Sequence, residues 1–209
     1  MRINKPTATV VVVFFCVSVV FAIRLVRDHR KDLAGRKAVS ARSQGNPKAA
    51  LHIIEYTDFQ CPGCARSALL IEKYIKQFPR RIYLEVKYFP LTQMHVHAFK
   101  SALYAECASR QGKFWEFYKA LFDSQKQWAS LINAGVMFKD MAKETDLDME
   151  KLSECVNSEQ AKAAILDEKG QGQLSGVSST PTFFVNDKMI VGPKPLEEEL
   201  TRILGGIKE

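Results

Sequence analysis

Cys61 and Cys64 stand two residues apart in Asp58-Phe59-Gln60-Cys61-Pro62-Gly63-Cys64-Ala65. Such a pair either cycles between dithiol and disulfide or supplies half of a zinc site. Zinc needs a second pair of Cys or His ligands at similar short spacing. Cys107, Cys155 and the four histidines offer none, and His95 and His97 alternate as in a loop running into a helix. The redox reading is therefore preferred, with no metal and no cofactor: the two sulfurs carry the electrons.

The flanking residues say what must position the pair. Leu51 to Tyr56 is a strand-like apolar run, and Ser67 to Phe78 is amphipathic at helical spacing. Cys61 then falls at a helix N-terminus, where unpaired N–H groups and the positive end of the macrodipole favour a thiolate. Pro62 suits the first helical position, because the N–H it lacks would have been unpaired there. Cys64 comes one turn later and faces the interior. This makes Cys61 the expected nucleophile and Cys64 the expected resolving thiol.

The rest of the chain divides by composition. Residues 1–42 hold nine Lys/Arg against two Asp, which accounts for the whole formal charge of +7 and leaves 21 basic and 21 acidic residues after them. A neutral body excludes a nucleic-acid partner. Residues 8–23 are apolar apart from Thr9 and Ser18, and 1–26 is read as a signal peptide or, preferably, an uncleaved anchor over 7–26. The positive charges after this run argue for a cytoplasmic domain. Redox chemistry argues for the outside, and is weighted more heavily. Residues 27–47 read as a basic, flexible tether ahead of a domain over 48–209.

Within that domain a second strand is predicted from Arg81 to Pro90, parallel to the first because a helix connects them. Helices are expected over Ala98–Ser109, Lys113–Phe122, Leu131–Glu144, Asp148–Val156 and Glu159–Gln171, within a helical region at about 94–174. Thr182–Asn186 and Lys188–Val191 read as a hairpin turning at Asn186-Asp187. Pro195 opens a last helix with Glu197, Glu198 and Glu199 in its first turn. Cys107 and Cys155 sit on apolar helix faces of the insertion, and a structural disulfide is expected between them, with two buried thiols as the alternative.

Strand, Cys-x-x-Cys helix, strand, helical insertion, Thr180-Pro181-Thr182, hairpin and helix together resemble the DsbA-like thiol–disulfide oxidoreductases, an α/β thioredoxin-like fold with an inserted helical subdomain. The carriers are the Asp58–Cys64 stretch, Gln111-Gly112-Lys113-Phe114-Trp115, and residues 176–186 (Gly-Val-Ser-Ser-Thr-Pro-Thr-Phe-Phe-Val-Asn). The resemblance implies that Pro181 is a cis proline facing the cysteines and that Thr180 pairs with an extended substrate segment. It also makes Glu55 the buried acid beneath the pair; the alternative is an outward residue on an edge strand. Pro62-Gly63 lacks the histidine that strong oxidants of the family carry, so redox strength is left open.

The implied function is extracytoplasmic dithiol oxidation in exported, cysteine-containing proteins, with re-oxidation by a membrane partner such as a DsbB-like or VKOR-like quinone reductase. Reduction or isomerisation by the same pair, and a non-catalytic peptide-binding or chaperone module, are the competing readings.

Overall fold

The computed structural model describes residues 14, 16–26 and 41–205. Residues 16–26 form a helix, α1, with exposed side chains. The anchor expected over 7–26 lies partly outside the described residues, and among those described no helix is long and apolar enough to cross a membrane. The tether expected over 27–47 lies outside them as far as residue 40.

Beyond residue 40 the tether gives way to the domain earlier than its composition suggests. Ser43–Gly45 is a strand, β1, paired antiparallel to the edge of the sheet. Arg42 just before it is 2% exposed, and its guanidinium donates to both carboxylate oxygens of Glu168 at 2.8 and 2.6 Å. A Ser-Gln-Gly stretch carries no strand propensity. It is held by ladder hydrogen bonds to a neighbour 38 or more residues away and by the buried ion pairs of Arg42 with Glu168 and, at 3.9 Å, with Glu106.

The sheet has the order β1-β3-β2-β4-β5. β2 (Leu51–Thr57) and β3 (Ile82–Tyr88) are parallel and joined through α2 (Pro62–Gln77). β3 buries Ile82, Leu84, Val86 and Tyr88 in strict alternation. β4 (Thr182–Val185) runs antiparallel to β2, which places β2 at the centre. β5 (Lys188–Val191) completes the hairpin, whose two turn residues Asn186 and Asp187 have φ of 45° and 69°. That backbone is the primed turn whose twist matches two antiparallel strands.

Between β3 and β4 lies the insertion: α3 (Ala98–Arg110), α4 (Phe114–Asp123), α5 (Gln125–Trp128), α6 (Gly135–Glu144), α7 (Met149–Asn157) and α8 (Glu159–Leu174). The helix expected from Leu131 begins only at Gly135. Asn133 Oδ1 accepts from the Gly135 N–H at 2.9 Å, and this local bond draws the backbone into a turn. The last helix, α9, runs Pro193–Leu204, one turn-half earlier than expected, so Glu197–Glu199 fall outside its first turn. Gly192, at φ 92°, ends β5, and Pro193 takes the first helical position, where no N–H is required. α2 and α9 pack together beside the sheet, while α8 lies against β3.

Candidate active site

The end of β2 delivers Asp58 to Cys61 to the start of α2. Cys61 is the N-cap, with φ −75° and ψ 122°, and Pro62 follows it. No side chain caps this helix, so its first N–H groups point at the sulfur. Cys61 is 8% exposed and Cys64 fully buried, both as free thiols. The hydrogen bond from Cys64 draws the Cys61 thiol from its ordinary 9.0 down to about 5, and the N–H groups of Cys64 and Gly63 reinforce it against burial. Burial pushes Cys64 well above 9.0, helped by the hydrogen bond and charge of Cys61 and by the charge of Glu55. One sulfur is thus a ready thiolate at neutral pH and its partner holds its proton.

The Thr180–Pro181 peptide is cis. It lies against the pair: Cys61 Sγ is 3.3 Å from the Thr180 carbonyl oxygen, to which the thiol form donates. Gly63 marks how close this approach is. A Cβ there would meet Pro181 Cδ at 2.9 Å and Cys61 Sγ at 3.5 Å, so the second residue between the cysteines has no room for a side chain.

Glu55 belongs to the central strand, not to an edge, and is 0% exposed. Its Oε2 accepts from the Tyr118 hydroxyl at 3.3 Å, and Oε1 has no partner. Burial raises its carboxyl from 4.5 to about 7. Cys107 and Cys155 are joined by a disulfide that links α3 to α7, 48 residues apart.

A second set of residues fixes the loop before Cys61, and sequence reasoning gave them no role. Asp58 is buried; Oδ1 accepts from Gln60 N–H at 2.8 Å, and Oδ2 accepts from Leu91 N–H at 2.9 Å and lies 2.8 Å from His95 Nδ1. The Asp58 N–H itself points at Cys64 Sγ, at 3.4 Å. Gln60 receives His97 N–H at 2.6 Å and donates to the Ala129 carbonyl at 3.0 Å. Gln125 donates to the carbonyls of Phe59 and Cys61 at 2.7 and 2.9 Å. Asp58 and Gln60 were visible inside the cysteine motif, but nothing in the sequence pointed to Gln125, whose partners lie more than 60 residues away.

A cis proline against a Cys-x-x-Cys helix, on a sheet with a helical insertion after β3, is a specific arrangement. A family model described as Thioredoxin matches residues 37–204. The chain belongs to the thioredoxin family. Within it, the inserted helices give this chain the DsbA-like oxidoreductase architecture. It is similar to alpha-DsbA1 of Wolbachia pipientis, with a TM-score of 0.65 at 23% identity over 78% of this chain and 87% of that one. Among sequences, it is 31% identical over 154 residues to Na(+)/H(+) antiporter NhaA 1 of Mycobacterium sp. (strain KMS), covering 72% of this chain. The match covers only 24% of that antiporter, so the chain spans about a quarter of such relatives. Disulfide bond formation protein D of Bacillus subtilis is 27% identical over 157 residues, 70% of this chain and 68% of the relative.

Proposed function

We propose that the chain is an extracytoplasmic thiol–disulfide oxidoreductase that acts mainly as a dithiol oxidase on exported proteins. The observation that carries this reading is the split between the two sulfurs. Cys61 is held near pKa 5 at the cleft beside Pro181, and Cys64 is buried with its thiol raised well above 9.0. A relative named for disulfide bond formation supports the direction.

In the forward step a substrate thiolate attacks Cys61 Sγ of the disulfide form. The Cys61–Cys64 bond breaks, and Cys64 leaves with the electron pair and takes up a proton. The second substrate thiolate then attacks the substrate sulfur of the mixed disulfide. Cys61 departs as a thiolate, the leaving group that its low pKa favours. Two electrons pass to the enzyme pair and one disulfide forms in the substrate. Thr180, at the sheet end beside Cys61, offers backbone groups to an extended substrate by strand addition. Glu55 is proposed to move the Cys64 proton. A quinone reductase of the DsbB or VKOR kind would then withdraw the two electrons, at a membrane that the segment over 7–26 would adjoin.

Stabilising the Cys61 thiolate stabilises the dithiol form and makes the disulfide a stronger oxidant; an ionised Glu55 and the lack of a histidine between the cysteines act the other way. The expected potential lies between about −270 mV (thioredoxin) and −120 mV (DsbA), both reference values. Equilibration with glutathione measures it, and a value at or below thioredoxin's would turn the assignment to a reductase. Trapping separates enzyme from binding module: Cys64→Ala should accumulate mixed disulfides through Cys61, and a peptide-binding module would yield none.

A further inference from the structure

A groove of about 670 Å³ opens beside the catalytic helix, bounded by α2, α4, α5 and the β1–β3 edge. Its volume falls in the range of sites that bury a small ligand or a few side chains, roughly 300–1,000 Å³. Thr180 and Pro181 do not line it, so it is a different surface from the cis-proline cleft. Pro62, the residue after the nucleophile, forms part of its wall, and so does Gln125, which is bonded to the Cys61 carbonyl.

The sequence of α2 does not account for the groove's apolar wall. Pro62, Ala65, Leu69 and Glu72 follow one another at helical spacing along one face, yet Leu69 is 55% exposed. Trp115 and Phe122 of α4 face the same space and are only partly buried. Leaving a leucine, an indole and a phenyl ring partly open to water is unfavourable unless something covers them.

The charges on the rim suggest what does. Lys119 is matched by Asp123 at 2.7 Å and Glu72 by Lys76 at 2.6 Å. Arg66 and Lys126 have no carboxylate partner among the described residues. Both lie at the Cys61 end: Arg66 is one turn beyond Pro62, and Lys126 follows the Gln125 that is fixed to Cys61. The groove therefore joins an apolar trough to two unmatched cations, next to the sulfur that meets substrate.

We propose that this groove is a substrate subsite for an extended polypeptide segment that carries apolar side chains with an acidic residue close to the reacting cysteine. The idea rests on the reading of Cys61 as the thiol that engages protein cysteines. It adds a chemical class of substrate to that reading: acidic-apolar sequence flanking the cysteine on one side, with the cis-proline cleft left to the other. Leu69, Trp115 and Phe122 cover the apolar side chains, while Arg66 and Lys126 receive the carboxylate. Rim charges of this kind act on encounter and on salt dependence more than on residence time.

The test uses the full 209-residue chain and a cysteine-free decapeptide of Leu, Phe and Asp, with a matched peptide that has Lys for Asp. Trp115 reports from inside the groove, and the chain's other tryptophan, Trp128, is 0% exposed. The acidic peptide should give a saturable change in tryptophan emission that disappears in Trp115→Phe. Affinity should fall tenfold or more in Leu69→Glu, which removes the apolar surface and sets a carboxylate against the acidic peptide. It should fall roughly tenfold in Arg66→Glu/Lys126→Glu, which should in turn prefer the Lys peptide. Arg66, Leu69 and Lys126 are exposed, and the partly buried Trp115 is replaced by another aromatic ring, so the variants keep the fold, and glutathione exchange at Cys61 checks the redox site separately. The proposal is overturned by an acidic peptide that gives no saturable change, or by a change that persists in Trp115→Phe or Leu69→Glu. Equal binding of the Lys peptide also overturns it. So does a sedimentation result showing a dimer that Leu69→Glu dissociates, since the groove would then belong to a second copy. Loss of glutathione exchange with peptide binding intact would instead sink the oxidase reading alone.

Discussion

Replacing Glu55 with Gln isolates the cost of placing an ionisable carboxyl at the centre of the sheet. Its pKa rises from 4.5 in an ordinary setting to about 7 in the fold, because burial disfavours the charged form. Between those values the folded chain keeps a proton that the unfolded chain has released. Stability therefore falls as pH rises, by about 1.4 kcal/mol per pH unit for one group. Below pH 4.5 the stabilisation is fully present, and above pH 7 all of it is gone, a span of roughly 3 kcal/mol. Gln cannot titrate, so the Glu55→Gln variant should lack this fall. Its amide would still accept from Tyr118, and the Thr57 hydroxyl beside the carboxyl can receive one N–H of the amide, which leaves the other without an acceptor. An unsatisfied buried donor costs about 1–3 kcal/mol at every pH, so the two proteins differ in offset as well as slope. The decisive quantity is the slope. Urea unfolding at pH 4.5, 6 and 8, with both cysteine pairs in the disulfide form so that neither Cys61 nor Cys64 titrates, should show the wild type losing about 3 kcal/mol more than the variant across the series. Parallel pH profiles would refute the argument, and would mean that water or the protein relaxes around an ionised Glu55.

In the reduced protein, alkylation by iodoacetamide, read peptide by peptide because Cys16 is also free and exposed, should modify Cys61 far faster than Cys64, with a Cys61 rate that falls to half near pH 5 and levels off above it; a Cys61 half-point near 8 or faster reaction at Cys64 would contradict the split in acidity. Removing the α3–α7 staple with Cys107→Ala/Cys155→Ala should lower stability by about 4 kcal/mol on the chain-entropy account, read as a fall in urea midpoint with a somewhat steeper slope, because the unfolded chain expands once the cross-link is gone. Arg42→Ala should cost about 3–5 kcal/mol, since it leaves Glu168 as a buried carboxylate without its guanidinium, while Glu106 keeps Arg110. A loss under 1 kcal/mol in Arg42→Ala would show that the region around β1 is marginal to the domain.

Local chemistry made much of this protein legible in its sequence. Cys-Pro-Gly-Cys at a strand-to-helix junction fixes which sulfur meets the helix N-terminus, because capping and the macrodipole act within one turn. Alternation from Ile82 to Tyr88, the Asn186-Asp187 turn and the apolar stripes of α3, α4 and α7 are likewise properties of neighbouring residues, and they give the element order and the parallel β2–β3 pair. What escaped depends on residues far apart in the chain. β1 and Arg42 read as linker because their partners, β3 and Glu168, lie roughly 40 and 126 residues on. Leu131–Ala134 read as helix because the Asn133 turn competes with helical bonding only in its own geometry. Glu55 was ambiguous between edge and centre until the pairing of β2 with both β3 and β4 settled its burial. Only the tertiary fold brings Pro181 against Gly63 and Cys61, hangs the cysteine loop on Asp58, Gln60 and Gln125, and opens a groove beside Pro62. Sequence patterns report what each residue prefers of its neighbours, whereas pKa shifts, close approaches and grooves arise from the low-dielectric space that distant segments enclose together.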